Sequence, residues 1–448
     1  MRISDVIGRR VGLLGFGIEG RSVLDALRRH GHLETVHVID DKPVQVPDGT
    51  ELHAANAAFR ALSQLDVVIR SPGFGPQHAL RRSLDEHGIQ QTTATRLFLR
   101  EMRERDVPVI GITGTKGKST TSSLTHLTLE AAGVPSVLVG NVGVAALDML
   151  ERIEQEKLHV VMELSSYQCS DLESEFGPSI AGLVDLFPEH LDWHGGLDEY
   201  YAAKLRIVAT QRPHDVAFYN PLPAALTAAT RPLFSRSHLM NVETGLHYRD
   251  GWFLRGQERL FNDEAVRLIG IHNRRNAVAA LALAEVLGAR PSHLRTVLQT
   301  FQGLPFRLQN EGVFAGITWF NDAISTAPET VVAALSALGV GFRTSTLIVG
   351  GQRRGLDQTP LAAALESSAV KTLIVMPDTG ADVALAVSAR GLAIKLLEAD
   401  SLEEAVSLAA RFTSVGDACL FSPGAPSYNR FKSFQERGAG FRRLISAL

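Results

Sequence analysis

Short, wholly apolar runs alternate with amphipathic helical stretches along this whole chain, and that alternation admits little besides parallel sheets with helical crossovers. Residues 10–16 predict a strand, a glycine turn follows, and 22–30 predict a helix. Further strands are expected at 36–39, closing on Asp40 and Asp41, and at 66–70, running into Ser71-Pro72-Gly73. A helical connector over 93–107 leads to a second set at 107–112, 159–162 and 181–185. The stretch 221–262 is poorly patterned, with Leu246-His247-Tyr248 and Trp252-Phe253-Leu254 suggesting a small antiparallel excursion before an alanine-rich helix at 273–287. A third set of strands is expected at 317–320, 346–349, 372–375 and 418–421. At about 150 residues per domain, 448 residues fit three α/β domains, placed at 1–95, 96–302 and 303–448.

Two glycine turns carry the chemistry. Gly15-Phe16-Gly17-Ile18-Glu19-Gly20 follows a strand and precedes a helix, where glycines let backbone approach a diphosphate and the helix N-terminus supplies N–H donors. Asp40 ends the next strand, about 20 residues on, where an acid accepts from a ribose hydroxyl. A nucleotide or nucleotide-sugar site and a plain tight turn both remain open on this motif. Gly114-Thr115-Lys116-Gly117-Lys118-Ser119, with Thr120 behind it, is sharper. Its amides would wrap triphosphate oxygens, Lys118 would neutralise them, and Ser119 would hold Mg²⁺. It is shorter than the usual phosphate loop, because residue 112 is isoleucine.

Glu163 follows a buried strand, at the position from which phosphate-loop proteins supply a metal carboxylate, and His190 lies in Glu189-His190-Leu191-Asp192. A carboxylate and an imidazole near bound phosphate suit Mg²⁺ or Mn²⁺ better than zinc. By itself His190 reads equally well as a buried hydrogen-bonded histidine, and Lys204 reads as a surface lysine on a helix. Charge balance, 45 Lys and Arg against 48 Asp and Glu for a net of −3, argues against a nucleic-acid or membrane binder. With two cysteines, no signal-type N-terminus and no long apolar run, a soluble cytoplasmic chain is expected.

Together these motifs resemble the Mur ligases. The resemblance rests on the 114–119 loop, Glu-Leu-Ser-Ser-Tyr-Gln at 163–168, Glu-His-Leu-Asp at 189–192, Ala-Ala-Lys-Leu-Arg-Ile at 202–207, His272 to Asn276, Leu304-Pro305-Phe306-Arg307, Asn321-Asp322 and the segments 422–427 and 431–438. It is strongest toward the MurD-type, glutamate-adding branch. It implies a Rossmann-like N-terminal domain, a P-loop ATPase-like central domain and a Rossmann-like C-terminal domain. It also implies ATP, Mg²⁺ or Mn²⁺, and UDP-N-acetylmuramoyl-L-alanine and glutamate as substrates of a monomeric enzyme. By resemblance, Lys118, His190 and Lys204 are catalytic, and Gly114 to Thr120 with Asn276, Arg307 and Asp322 bind ATP. Ser119, Glu163, His190 and a carbamylated Lys204 would hold metal. Gly15, Phe16, Gly17, Ile18, Asp40, Asp41, Ser71, Pro72, Gly73 and Asn141 would bind the UDP substrate. A folylpolyglutamate synthetase would lack the N-terminal domain, and a dehydrogenase would leave the second glycine loop unexplained.

The amino-acid pocket departs from the D-glutamate pattern. Where that branch carries Asp-Ser-Lys-Ala-Thr-Asn, this chain has Asp322-Ala323-Ile324-Ser325-Thr326-Ala327, so a lysine has become Ile324. A second lysine position falls at Gly351-Gln352-Arg353-Arg354, with Arg354 or Arg353 in its place. Thr326, Arg354, Ser427 and Phe434 are the expected glutamate contacts. Arginine's planar fork is not equivalent to a point-charge ammonium, so the carboxylate should sit differently. The run 321–329 resembles the L-glutamate-adding variant, whose product is inverted by a separate epimerase. Drift within a D-glutamate ligase is the competing account.

Overall fold

In the computed structural model, the structure describes all residues except 34, 41–43, 55–63, 224–225, 227–236, 265 and 429. The chain forms two compact units, Met1–Val266 with Arg274–Gln299, and Arg267–Asn273 with Thr300–Leu448.

The first unit holds two parallel sheets. Strands β1 (Arg10–Leu14), β2 (Thr35–Asp40), β3 (Thr50–Ala54), β4 (Val67–Arg70) and β5 (Gln90–Thr92) lie in the order β3-β2-β1-β4-β5. Strands β6 (Val109–Thr113), β7 (Ser136–Gly140), β8 (His159–Glu163), β9 (Ile180–Leu183), β10 (Val216–Tyr219) and β11 (Ser237–Leu239) lie in the order β11-β10-β9-β6-β8-β7. Strand order reverses beside β1 in one sheet and beside β6 in the other. Crevices at the carboxyl ends of such strands are where open α/β sheets bind ligands. Both glycine turns lie there. The antiparallel excursion is present as β12 (Leu246–Arg249), β13 (Trp252–Arg255) and β14 (Glu258–Asn262). Residues 276–284 of the helix Ile271–Glu285 are buried, with Leu283 and Ala284 packed on Ile110 and Ile112 of β6.

The second unit carries β15 (Gln309–Phe314), β16 (Ile317–Asn321), β17 (Thr344–Val349), β18 (Thr372–Val375), β19 (Lys395–Glu398) and β20 (Ala418–Phe421), ordered β15-β16-β20-β17-β18-β19. Only β15 runs antiparallel to its neighbour. Wholly buried β17, β18 and β20 read as unbroken runs of apolar or small hydroxyl residues, as strands covered on both faces should.

Every strand expected from an apolar run is present within a few residues. The expected helix at 22–30 begins four residues earlier, at Ile18, directly off the glycine turn. The strands that composition did not announce are mostly partly exposed ones: β3, β5, β11, β15 and β19 have one covered face at best, so polar residues interrupt them.

The two sheets of the first unit are joined by buried and partly buried polar contacts. Arg70 at the end of β4 donates through both terminal nitrogens to the carboxylate of Asp171, with both side chains almost wholly buried. Arg81 approaches the same carboxylate at 3.7 Å. Gln168 Nε2 donates to Glu19 Oε1 at 2.8 Å, and Ser22 Oγ to Asp148 Oδ1 at 2.7 Å.

Candidate active site

The loop after β6 turns on two glycines at positive φ, +157° for Gly114 and +89° for Gly117. A Cβ on Gly114 would fall 2.4 Å from Val184 Cγ2, and one on Gly117 would fall 2.3 Å from Asn276 Oδ1. Close approach and backbone sign therefore both require glycine. Gly117 caps the helix Lys118–Ala131, whose first amides face the loop. Thr115 fastens the turn: its N–H donates to Asp185 O at 2.7 Å, and its hydroxyl accepts from Phe187 N and meets Tyr200 OH at 2.7 Å. Lys116 reaches outward to Glu189 at 2.9 Å. Ser119 and Thr120 are buried at the start of the helix.

Two lysines converge on one carbonyl. Lys118 Nζ donates to Gly114 O and Thr115 O, each at 3.0 Å, and Lys204 Nζ donates to Gly114 O at 2.6 Å. Lys204 is 2% exposed, not the surface lysine its helix suggests. Burial, reinforced by the charge of Lys118, lowers its pKa to about 7. The Lys118 ammonium, the Lys204 amine and a helix N-terminus in one turn make an anion-binding cradle.

Three further strand ends border this loop. Glu163, the last residue of β8, is buried, and its Oε1 accepts from Asn141 Nδ2 at 2.9 Å. Its Oε2 is buried without a hydrogen-bond partner. Asn141, expected near the UDP substrate, is thus placed against Glu163. His190 sits after β9 in the left-handed region (φ +54°), half-exposed, with its ring 5.1 Å from that of Tyr167. Burial pushes its pKa down, against the pull of Glu189. A carboxylate oxygen lacking a partner, a buried hydroxyl, an imidazole and a lysine with a depressed pKa form a donor set suited to a hard divalent cation beside phosphate. The structure thus brings together Gly114 to Thr120, Asn141, Glu163, His190, Lys204 and Asn276.

At the first sheet, Gly15 (φ +90°) packs so tightly on the 71–73 turn that a Cβ would lie 2.7 Å from Ser71 Cβ. Phe16 N donates to Asp40 Oδ2 at 2.7 Å, so this aspartate braces the turn. Gly17 caps the helix, and Ile18 is exposed beside it. Gly15 to Ile18, Asp40 and Ser71 to Gly73 therefore share one crevice, whereas Asp41 lies outside the described residues.

In the second unit, Thr326 and Arg354 line one pocket with Gln352, Gln358, Asp382 and the 424–426 turn. Arg353 is held by Asp382 at 2.8 Å and by Asp378 O, which leaves Arg354 as the arginine lining the pocket. Ser427 is buried just beyond that turn, and Phe434 begins the final helix; neither lines the pocket. Asp322 is buried, its oxygens accepting from Ser422 Oγ at 2.7 Å and Leu308 N at 3.0 Å, and desolvation raises its pKa to about 6. Arg307 lies within electrostatic reach of it.

Sequence reasoning missed several residues that build the site: Tyr200, which holds Thr115; Gln168, which joins Glu19; and His194, whose Nε2 lies 3.0 Å from Ser166 Oγ. Burial first, then Lys204, lowers the His194 pKa to about 4. Gln168 stands in the quoted 163–168 run and Tyr200 one helical turn before Lys204, so spacing offered a signal for both.

Residues 112–284 match the Mur ligase middle domain. The chain is 38% identical to the UDP-N-acetylmuramoyl-L-alanine--L-glutamate ligase of Salinispora tropica, over 99% of each chain. Among solved structures it is similar to UDP-N-acetylmuramate-alanine ligase MurC of Thermotoga maritima, with TM-score 0.64 and 16% identity over 98% of this chain and 100% of that one. MurF ligase of the same organism, solved with ADP, gives 0.57 and 15% over 100% and 97%. At such identities the structural likeness speaks for fold, while the sequence match spans both units. The chain belongs to the Mur ligase family, of MurD type.

Proposed function

We propose that this protein joins L-glutamate to UDP-N-acetylmuramoyl-L-alanine at the expense of ATP, in the cytoplasmic assembly of peptidoglycan precursors. The substrate carboxylate attacks the γ-phosphate and expels ADP to give an acyl phosphate, and the glutamate amine then attacks that carbonyl, losing a proton and displacing phosphate through a tetrahedral intermediate. Both steps crowd anions together, so fixed cations lower the barrier. Residues 1–95 would bind the uridine nucleotide, 96–302 ATP, and 303–448 the amino acid. Lys118 and the amides of Gly114 to Thr120 would cradle phosphate, and the resemblance assigns Asn276, Arg307 and Asp322 to ATP as well.

Ser119, Glu163, His190 and Lys204 would hold Mg²⁺ or Mn²⁺, which supplies Lewis-acid neutralisation of the transferring phosphate. Lys204 is suited to this only as a carbamate: its neutral amine adds carbon dioxide, loses a proton and becomes a carboxylate-like ligand. The depressed pKa of the buried amine supports that conversion.

For the enantiomer, the supporting observation is the pocket in which Arg354 is present while the sequence places Ile324 where the D-glutamate branch carries lysine. Moving a carboxylate between enantiomers calls for a displaced cation. The protein would act as a monomer, with an epimerase inverting the terminal residue afterwards. Incubation with UDP-N-acetylmuramoyl-L-alanine, ATP and either L- or D-glutamate, followed by chromatography, tests this. Product from L-glutamate alone is expected. Product from D-glutamate alone refutes the enantiomer, and ATP turnover indifferent to the muramoyl acceptor refutes the ligase.

A further inference from the structure

Strands β2 and β3 pair in parallel, with β3 at the outer edge of the first sheet, His37 opposite Glu51 and Ile39 opposite His53. Glu51 and His53 are two apart on β3, so their side chains share a face. The imidazole of His37 meets them there. His37 Nδ1 lies 2.9 Å from His53 Nε2 and 3.4 Å from Glu51 Oε2, and His53 Nε2 lies 3.7 Å from that same oxygen. Among the described residues, this is the single group of three or more histidine, cysteine or carboxylate side chains whose ligand atoms converge so closely.

Hydrogen bonding does not satisfy this triangle. A ring nitrogen carries one proton or one lone pair, so His37 Nδ1 can bond one of its two neighbours at a time and must face the other unbonded. A cation at the centre satisfies all three atoms at once. Ligands at about 2.0–2.1 Å in a tetrahedral shell stand about 3.3 Å from one another, which falls between the shortest and longest sides observed here. Two imidazoles and one carboxylate are the borderline donor set of zinc-like transition metals, distinct from the oxygen-rich set that suits Mg²⁺.

We propose that His37, His53 and Glu51 form a binding site for a zinc-class divalent cation, with its fourth position open to water. Glu51 is exposed and His53 partly so, which provides entry, while His37 anchors the site from beneath, 7% exposed. Burial lowers the His37 pKa against the pull of Glu51, which favours the neutral ring. Such a cation clips the edge strand β3 to β2, whose last residue, Asp40, braces the Gly15–Phe16 turn. The site therefore stiffens the uridine-nucleotide domain from outside its crevice.

The test is titration of the chelator-stripped, full-length protein with ZnCl₂ in excess MgCl₂, alongside E51Q, H53A and H190A. One equivalent should bind to the wild type and to H190A. Affinity should fall about tenfold or more, at least 1.4 kcal/mol, in E51Q and in H53A. CoCl₂ should give the visible bands of a four-coordinate ion, lost in H53A. Circular dichroism confirms folding, and the exposed position of Glu51 keeps E51Q informative if H53A fails to fold. Absence of stoichiometric zinc in the wild type, or binding weakened by H190A and unchanged in E51Q, overturns the proposal.

Discussion

Replacing Lys204 with methionine keeps the stem and removes the amine, which isolates the consequences of its burial. Burial holds its pKa at about 7, against 10.5 for an ordinary lysine. At pH 7.5 most of the buried amine is neutral, the form that captures carbon dioxide, whereas an ordinary lysine is almost wholly protonated. Linkage gives the same shift a second readout. Between pH 7 and 10.5 the unfolded chain holds a proton that the folded chain does not, so stability must rise with pH across that window. The rise is about 1.4 kcal/mol per unit, approaching about 5 kcal/mol in total, and it ends below pH 7, where the folded state also protonates. Urea denaturation in CO₂-free buffer should show wild type gaining about 2–3 kcal/mol over K204M between pH 7.5 and 9.5. In ¹³C-bicarbonate a carbamate resonance should appear in wild type and not in K204M. A stability difference flat with pH, or the same resonance in the variant, refutes the reasoning.

K118A removes a point charge from the phosphate cradle and should cut acceptor-dependent phosphate release about 10²-fold or more; an unchanged rate in a coupled assay contradicts the cradle. G117A combines a left-handed φ with a Cβ 2.3 Å from Asn276 Oδ1, so about 1–2 kcal/mol of backbone strain adds to a steric push. ADP affinity measured by calorimetry should fall about tenfold, and an unchanged affinity contradicts the requirement for glycine at this turn. D171N strips the buried carboxylate from Arg70 and Arg81 and should cost about 3–5 kcal/mol in urea denaturation. Pairing it with R70M should restore much of that loss.

The parts of the fold legible beforehand were those with both faces covered. Strands such as β17, β18 and β20 carry only apolar or small hydroxyl residues, and the two glycine turns announce themselves because φ and close approach exclude other residues at Gly15, Gly114 and Gly117. Edge strands are hidden because one side meets water: β19, Lys395-Leu396-Leu397-Glu398, has no buried residue. The site divides along the same line. Gly114, Gly117, Lys118 and Glu163 are readable from local spacing, since each sits at a strand or helix end. Lys204 is not, because its burial is decided by the distant Gly114 carbonyl it reaches. Likewise Arg70, Asp171, Glu19 and Gln168 acquire partners 101 and 149 residues away, a separation at which periodicity carries no information. Resemblance supplied Lys204 where spacing could not, but it offered nothing for His37, Glu51 and His53.

The Arg70–Asp171 pair also constrains how such a chain can change. Loss of Asp171 strands the buried Arg70, whereas loss of both leaves only the partly exposed Arg81 to find another partner. Mutation arrives one position at a time, so an uncharged seam lies across a fitness valley that neither residue can cross alone. An electrostatic contact of modest net benefit can thus become hard to discard, held by the order in which substitutions occur.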